Sequence, residues 1–194
     1  MIVPKTVEGI LSDLCVEYLY EQGKKLPSFG KAIELGVYKG KSTWAIMSGI
    51  NAGTGNAFLY SVDNWQGIET KPVSTKDIFF ENIKSIWNRD MIKVIECNSW
   101  DAAKNFENES IDFIFIDADH IYDSVMKDIT AWWPKIKKCG IMSGHDFTAS
   151  FDVPKAVHSF FDNSGYHLRQ IKDTSIWEVR KELITNVDNN QAKR

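Results

Sequence analysis

Three carboxylates and one imidazole crowd into residues 117–123 of a short stretch of the sequence, DFIFIDADHIYDSV at residues 112–125. Asp117, Asp119 and His120 follow an apolar run directly, and Asp123 comes three residues after His120. The apolar run predicts a buried strand, and the pattern after it predicts a helix. An imidazole can accept a proton near neutral pH, and carboxylates can bind a divalent cation. The stretch therefore indicates a site that moves a proton, holds a metal, or does both.

His120 has two interpretations from the sequence alone. It can act as a general base on a substrate hydroxyl, because the ordinary pKa of a histidine is about 6.5. It can also cap the following helix or bond to a carboxylate. Asp119 and Asp123 fall in the first turn of that helix, where negative charge is favourable for structural reasons alone. Asp123 is therefore assigned to the helix start, and Asp119 is left without a role.

A second polar pair ends the apolar stretch GIMSGHD, where His145 and Asp146 follow the predicted fifth strand. If the fourth and fifth strands are neighbours, Asp117, His145 and Asp146 can share a magnesium or manganese ion. Imidazole is a poor ligand for magnesium, so His145 can instead be a second base or a hydrogen-bond partner of the substrate. The sequence leaves both possibilities open, with Asp117, His120 and His145 as the catalytic candidates.

A loop with two glycines, ELGVYKGKS, separates the first predicted strand from the next helix. Glycines let the backbone turn tightly, and the helix that begins near Ser42 offers free N–H groups to an anion. The spacing matches neither the dinucleotide fingerprint nor the phosphate loop, and an ordinary strand-to-helix turn is the alternative. Asp63 ends the neighbouring strand, where an acid can accept hydrogen bonds from a ribose diol.

Strands and helices alternate along the chain, which predicts a parallel sheet with helices on both faces. Helical spacing from Val7 to Leu19 predicts a first helix that Gly23 stops. Near the end, two strands joined by a tight turn at Lys172 and Asp173 predict an antiparallel hairpin. The result is a single-domain α/β fold with a seven-stranded sheet over residues 1–182, including an N-terminal helix within 1–25, and a polar tail at 183–194. The predicted strands lie at 31–36, 56–63, 91–97, 111–117 and 140–146, and the helices at 41–50, 76–87, 100–106, 122–137 and 153–163.

Composition argues for a small-molecule acceptor as the partner. The net charge of -3 gives no basic stripe, so neither nucleic acid nor a membrane surface is expected to bind. Three cysteines without paired spacing, and an N-terminus without a secretory pattern, predict a cytoplasmic protein. The chain is short for a substrate lid of its own, which favours a homo-oligomer that completes the pocket.

Three motifs in order, AIELGVYKGKST, YSVDNW and FIDADHIYDSVMKDITAWWPKIKKCGIMSGHDF, resemble those of class I S-adenosylmethionine-dependent methyltransferases. The nearest pattern is the small-molecule O-methyltransferase branch with cephalosporin-hydroxylase-like and macrocin-type enzymes and, more distantly, catechol O-methyltransferase. The resemblance covers residues 31–147 and implies a Rossmann-like fold, S-adenosylmethionine as cofactor, and methyl transfer to a hydroxyl group. In the resembling metal-dependent enzymes the fifth strand ends in two oxygen ligands, whereas this chain has His145 and Asp146.

The resemblance also implies which residues hold the cofactor. Asp63 would hold the ribose, and Asp117 would lie beneath the sulfonium. Trp100 would meet the adenine, although a core aromatic explains it equally well. The residues that would meet the methionine end, with Ser42 at its carboxylate, are Glu34, Gly36, Tyr38, Gly40 and Ser42. The residues that would meet the adenosine are Asn64, Trp65 and Ser99.

Three other functions fit parts of the pattern. They are an NAD-binding oxidoreductase, a binding domain that has lost its chemistry, and a metal-dependent hydrolase. The glycine spacing and the closing hairpin favour the methyltransferase over the oxidoreductase. The acceptor pocket is expected around Trp65, Phe147, Phe151 and the loop at 66–75.

Overall fold

The computed structural model describes residues 3–66, 73–88 and 90–183. Seven strands form one sheet in the order β3-β2-β1-β4-β5-β7-β6. All neighbours are parallel except β7, which runs antiparallel to both β5 and β6. This arrangement confirms the predicted fold class. The strands are β1 Lys31–Leu35, β2 Phe58–Asp63, β3 Ile92–Glu96, β4 Ile111–Ile116, β5 Ile136–Gly144, β6 Tyr166–Gln170 and β7 Trp177–Leu183.

Helices cover both faces of the sheet, as the alternation of elements predicts. The core lies in two main layers, one between the sheet and the first two helices and one between the sheet and the last two. None of the helices in the described part of the chain is both long and apolar enough to cross a membrane. The helices are α1 Asp13–Lys24, α2 Lys41–Ala52, α3 Lys76–Ile83, α4 Ser99–Ala102, α5 Tyr122–Trp132 and α6 Val153–Phe161.

The first helix differs from the sequence prediction at both ends. It begins at Asp13 because the Ser12 side chain caps it, accepting a hydrogen bond from the Cys15 backbone N–H. Val7 is still buried, but in an irregular segment. Gly23 does not stop the helix, which runs one residue further. A Cβ at Gly23 would overlap the Ile46 carbonyl oxygen, so this glycine instead allows α1 to pack closely against α2.

The fifth helix is shorter than predicted because Pro134 cannot continue it. A short 3₁₀ turn follows at Trp133–Lys135, and β5 begins at Ile136. At the end of the sheet, β7 extends to Leu183, one residue into the predicted polar tail. The rest of that tail lies outside the described residues.

Candidate active site

The carboxyl ends of β4 and β5 bring the two polar motifs together. The Asp117 N–H donates to the Leu35 carbonyl oxygen at 2.8 Å, and the His145 N–H donates to the Ile116 carbonyl oxygen at 3.0 Å. These bonds continue the parallel pairing by one residue past each strand. Asp117 and His145 therefore lie side by side at the edge of the sheet where ligands of open α/β folds bind.

Four side chains meet at this edge, and we call Asp117, His120, His145 and Asp146 the His–Asp cluster. The His120 Nε2 atom lies 2.8 Å from Asp146 Oδ2 and 3.8 Å from Asp117 Oδ1. The His145 Nδ1 atom lies 3.3 Å from Asp146 Oδ2 and 3.7 Å from Asp117 Oδ1. The imidazoles of His120 and His145 thus face the same two carboxylates.

The electrostatics of the cluster follow from these distances. The carboxylates of Asp117 and Asp146 raise the pKa of His120 to about 10, against the effect of burial. Burial also lowers the pKa of His145, but hydrogen bonds with Asp146 and Cys15 and the nearby charges outweigh it and raise that pKa to about 10. Burial acts to raise the pKa of Asp146, and the two imidazoles reverse this and place it well below its ordinary value. The site therefore stabilises positive charge.

A divalent cation fits part of this cluster. Asp117, His120 and Asp146 each offer one ligand atom, and these atoms all lie within 4.8 Å of one another. The His120 Nε2 atom is buried and, despite its nearness to Asp146, has no well-aligned hydrogen bond among the described residues. Two carboxylate oxygens and one imidazole nitrogen form a set that suits manganese better than magnesium. The set contains His120, whereas the sequence prediction named His145.

The glycine loop lies between β1 and α2, as predicted. Gly36 has φ +81° and Gly40 has φ +85°, and an added Cβ at Gly36 would overlap the Asp117 carbonyl oxygen. Gly40 is also the N-cap of α2, and it offers no side chain to the first turn of that helix. An anionic group can therefore approach the N–H groups at the start of α2.

Glu34 lies beneath this loop with 0% of its side chain exposed. Its Oε2 atom accepts hydrogen bonds from Thr43 Oγ1 at 2.7 Å and Ser61 Oγ at 3.0 Å. Its Oε1 atom is buried and has no hydrogen-bond partner among the described residues. Burial raises the pKa of Glu34 to about 7, and hydrogen bonds with Ser42 and the other two hydroxyls oppose this rise.

Asp63 is fixed at the mouth of the glycine loop by backbone hydrogen bonds. Its Oδ2 atom accepts from the Val37 N–H at 2.9 Å and the Tyr38 N–H at 3.4 Å, and its Oδ1 atom accepts from the Trp65 N–H at 2.8 Å. A carboxylate oxygen has two lone pairs, so Oδ1, which accepts one bond, can still accept another from a ribose hydroxyl. Asn64 next to it is exposed and donates to Asn98 Oδ1 at 3.2 Å.

The two tryptophans and Ser99, which the resemblance implies lie along the adenosine, have three different surroundings. Trp65 is buried, and its ring packs 5.2 Å from the Phe79 ring in the core beside the glycine loop. Trp100 is half-buried on an outer groove between α4 and α5, with Lys127 Nζ 5.0 Å above its ring. Ser99 is tied to α5, because its carbonyl oxygen accepts from Trp132 Nε1 at 2.9 Å.

The predicted acceptor pocket is only partly brought together at the cluster. Phe151 is 42% exposed, and its ring centre lies 4.9 Å from that of His120. Phe147 lies further back, with its ring against that of His158. Trp65 packs elsewhere, and residues 67–72 of the predicted loop lie outside the described part of the chain.

Three polar residues near the site escaped the sequence analysis. Cys15 and Ser175 both contact His145, but they are 130 and 30 residues away from it in the chain, so no local pattern could reveal them. Asp128 is different, because it is an acid on the apolar face of α5, between buried Val125 and Ile129. That position was visible in the sequence.

Replacing Asp128 with asparagine should stabilise the protein at alkaline pH. Asp128 is 1% exposed, and burial raises its pKa from 3.8 to about 7, although Ser99 bonds to it. The native state therefore binds the proton more tightly than the unfolded state, so stability falls as pH rises from about 4 to about 7 and stays lower above that. At about 1.4 kcal/mol per pKa unit, the free energy of unfolding falls by roughly 4 kcal/mol over this pH range.

Urea unfolding at pH 5 and pH 8 measures this prediction. The Asp128→Asn variant should lose less stability between the two pH values than the wild-type protein. Asp123→Asn is the matched control, because Asp123 is exposed in the first turn of the same helix. An unchanged pH dependence in Asp128→Asn would contradict the assignment of a protonated carboxyl group at this position.

The fold is that of class I S-adenosylmethionine-dependent methyltransferases. Residues 33–147 match the family described as a methyltransferase domain, and the chain belongs to that family. Family membership favours methyl transfer over the oxidoreductase and hydrolase alternatives.

Known proteins resemble this chain at low sequence identity. An uncharacterized protein of Sinorhizobium fredii (strain NBRC 101917 / NGR234), y4gI, is 24% identical over 119 residues, which make up 60% of this chain and 13% of that protein. The O-methyltransferase NovP is similar in structure with a TM-score of 0.68 at 16% identity, over 86% of this chain and 78% of NovP. The S-adenosylhomocysteine-bound methyltransferase PaMTH1 of Podospora anserina has a TM-score of 0.67 at 15% identity, over 88% of this chain and 79% of its own. Both structures share the fold.

Proposed function

We propose that the protein transfers the methyl group of S-adenosylmethionine to a hydroxyl group of a small molecule, with His120 removing the proton of that hydroxyl. The observation that carries this proposal is the place of the His120 imidazole. It lies between the carboxylates of the His–Asp cluster and the exposed ring of Phe151, at the ligand edge of the sheet. NovP, an O-methyltransferase, shares this fold and makes oxygen the first acceptor atom to test.

The reaction needs few groups because the cofactor already carries an activated methyl group. The acceptor oxygen forms a bond to the methyl carbon while the carbon–sulfur bond breaks, and the electron pair of that bond stays on sulfur. The products are the methyl ether and S-adenosylhomocysteine. The hydroxyl proton passes to His120 Nε2 and from there to solvent.

Glu34, Asp63 and the glycine loop would hold the cofactor so that its methyl group points towards the cluster. The loop contacts Asp117 closely through Gly36, so the methionine end and the acceptor site are joined at one point of the backbone. Such alignment of the two reactants supplies a large part of the rate enhancement in a displacement reaction.

The charge of the cluster decides when His120 can act as a base. With both carboxylates beside it, His120 has a pKa of about 10 and holds its proton at neutral pH. A divalent cation bound by Asp117 and Asp146 would offset this negative charge and would lower the pKa of an acceptor hydroxyl. A base must keep Nε2 free, so in this proposal His120 lies beside the cation without coordinating it.

An acceptor screen tests the choice of oxygen. The protein is incubated with S-adenosylmethionine carrying a ¹³C-labelled methyl group and with matched phenols, sugars, amines and thiols, in the presence of magnesium, manganese or a chelator. We expect methoxy products whose yield falls with the chelator. Methyl transfer to nitrogen, sulfur or carbon without any methoxy product would refute the proposal. Calorimetric titration with S-adenosylhomocysteine shows in parallel that the sample binds the product.

A further inference from the structure

Two side chains from distant parts of the sequence hold one nitrogen of His145. Ser175 Oγ, in the loop between β6 and β7, lies 2.8 Å from His145 Nε2. Cys15 Sγ, in the first turn of α1, lies 3.7 Å from the same nitrogen and accepts a hydrogen bond from Ser12 Oγ at 3.2 Å. The His145 side chain is only 12% exposed. Its Nε2 atom therefore has its partners outside the His–Asp cluster.

The other nitrogen of His145 faces the cluster. Nδ1 lies 3.3 Å from Asp146 Oδ2 and 3.7 Å from Asp117 Oδ1. A bare lone pair on Nδ1 would face two negatively charged groups and be repelled, whereas an N–H group there is attracted to them. The two carboxylates favour a hydrogen on Nδ1, and Nε2 is then the nitrogen that Ser175 has to satisfy.

We infer that Ser175 is a positioning residue that fixes the orientation of the His145 ring, so that its Nδ1 side braces Asp146. A serine hydroxyl can donate to a bare Nε2 or accept from a protonated one, so it satisfies this nitrogen in either charge state. Outer partners of this kind commonly set the tautomer and orientation of a histidine. In this arrangement His145 is neither the base nor a metal ligand. The inference rests on the proposed function in one respect, that Asp146 belongs to the reacting site.

The backbone around Ser175 supports the same role. The Phe147 N–H donates to the Ser175 carbonyl oxygen at 2.9 Å, so one residue holds the chain on both sides of Asp146. Asp146 itself has φ +54°, a left-handed conformation that is unfavourable for a residue with a side chain and needs support from its surroundings. Ser175 thus fixes both the turn that presents Asp146 and the imidazole beside it.

Three serine variants test the role of the hydroxyl. Ser175→Ala should lower turnover about tenfold or more, while affinity for S-adenosylhomocysteine stays within a factor of about two. Ser175→Thr keeps the hydroxyl and should restore most of the turnover, which a purely structural role would not explain. Ser164→Ala is the matched control, because Ser164 Oγ also donates a short hydrogen bond, to the Phe161 carbonyl oxygen at 2.6 Å, but lies away from the cluster. Wild-type turnover in Ser175→Ala would overturn the inference.

The tautomer can be observed without any acceptor. Long-range ¹H–¹⁵N correlation spectra of the histidine-labelled protein, bound to S-adenosylhomocysteine and magnesium, report which ring nitrogen of His145 carries hydrogen; His145→Asn assigns the signal. We expect a protonated Nδ1 in the wild type and in Ser175→Thr, and a shifted Nε2 signal in Ser175→Ala, because Nε2 loses its hydrogen-bond partner there. An unprotonated Nδ1 in the wild type would overturn the inference. This result does not depend on which atom of the acceptor is methylated, so it can fail or succeed separately from the proposed function.

Discussion

His120→Ala should lower turnover by about 10²- to 10⁴-fold, the usual contribution of a general base. The affinity for S-adenosylhomocysteine should stay the same, because His120 lies at the acceptor side of the cluster, next to the Phe151 ring. Calorimetric titration and a methyl-transfer assay measure the two quantities on the same samples. His167→Ala is the control, since His167 is exposed on the edge strand β6.

The same variant separates the two roles that the geometry allows for His120. As a base beside the cation, it should leave manganese affinity unchanged when it is removed. If His120 is a metal ligand together with Asp117 and Asp146, its removal should greatly weaken manganese binding. Manganese titration followed by electron paramagnetic resonance gives the answer. Normal turnover in His120→Ala would show that the base lies elsewhere.

Asp63→Ala should weaken the binding of S-adenosylhomocysteine by roughly 10- to 100-fold. A hydrogen bond to a charged group is worth about 1.5–3 kcal/mol, and each factor of ten in affinity corresponds to about 1.4 kcal/mol. The variant also removes the acceptor of the Val37 and Trp65 N–H groups, so the glycine loop loses its anchor. Calorimetry measures the affinity, and Asp123→Ala on the exposed side of α5 is the control.

A cofactor analogue distinguishes a direct contact with the ribose from a collapse of the loop. S-Adenosylhomocysteine and its 2′-deoxyribose counterpart are titrated into the wild-type protein and into Asp63→Ala. If Asp63 holds the ribose, the wild type discriminates between the two and the variant does not. Equal discrimination by both proteins would mean that Asp63 acts on the loop alone.

The sheet and the position of the site could be predicted because both depend on short-range patterns. Apolar runs that end in polar residues located the carboxyl ends of β2, β4 and β5, and parallel strands place such ends at one edge. The glycine loop was equally visible, since Gly36 and Gly40 both adopt positive φ angles. The resemblance of three motifs to those of methyltransferases then implied S-adenosylmethionine as the cofactor.

The details that escaped prediction depend on the direction of a side chain or on distant contacts. Trp65 follows Asp63 by two residues, yet its positive φ of 58° accompanies a ring buried in the core, which the sequence does not encode locally. The His120 Nε2 atom lies nearer to Asp146 Oδ2 than the His145 Nδ1 atom does, although His145 directly precedes Asp146 in the chain. The contact between Ser175 and His145 exists only because β7 lies next to β5.

Other boundaries were within reach of the sequence. Ser12 before Asp13 is a common start of a helix, and Pro134 is a common end, so α1 and α5 could have been placed more closely. The sequence predicts that Gly23 stops α1, whereas this glycine allows close packing on Ile46. A glycine near a helix end has both uses, and only the neighbouring helix decides between them.

The position of β7 has a consequence for how the enzyme is made in the cell. β5 pairs with β4 on one side, but its other side is covered only by β7, which is synthesised after α6 and β6. Until then a growing chain presents β5 as an open edge, and open edges of strands invite pairing with other chains. The same strand order delays the completion of the active site, because Ser175 arrives with the hairpin. Chaperone protection during translation would therefore matter most in the interval between the synthesis of β5 and that of β7.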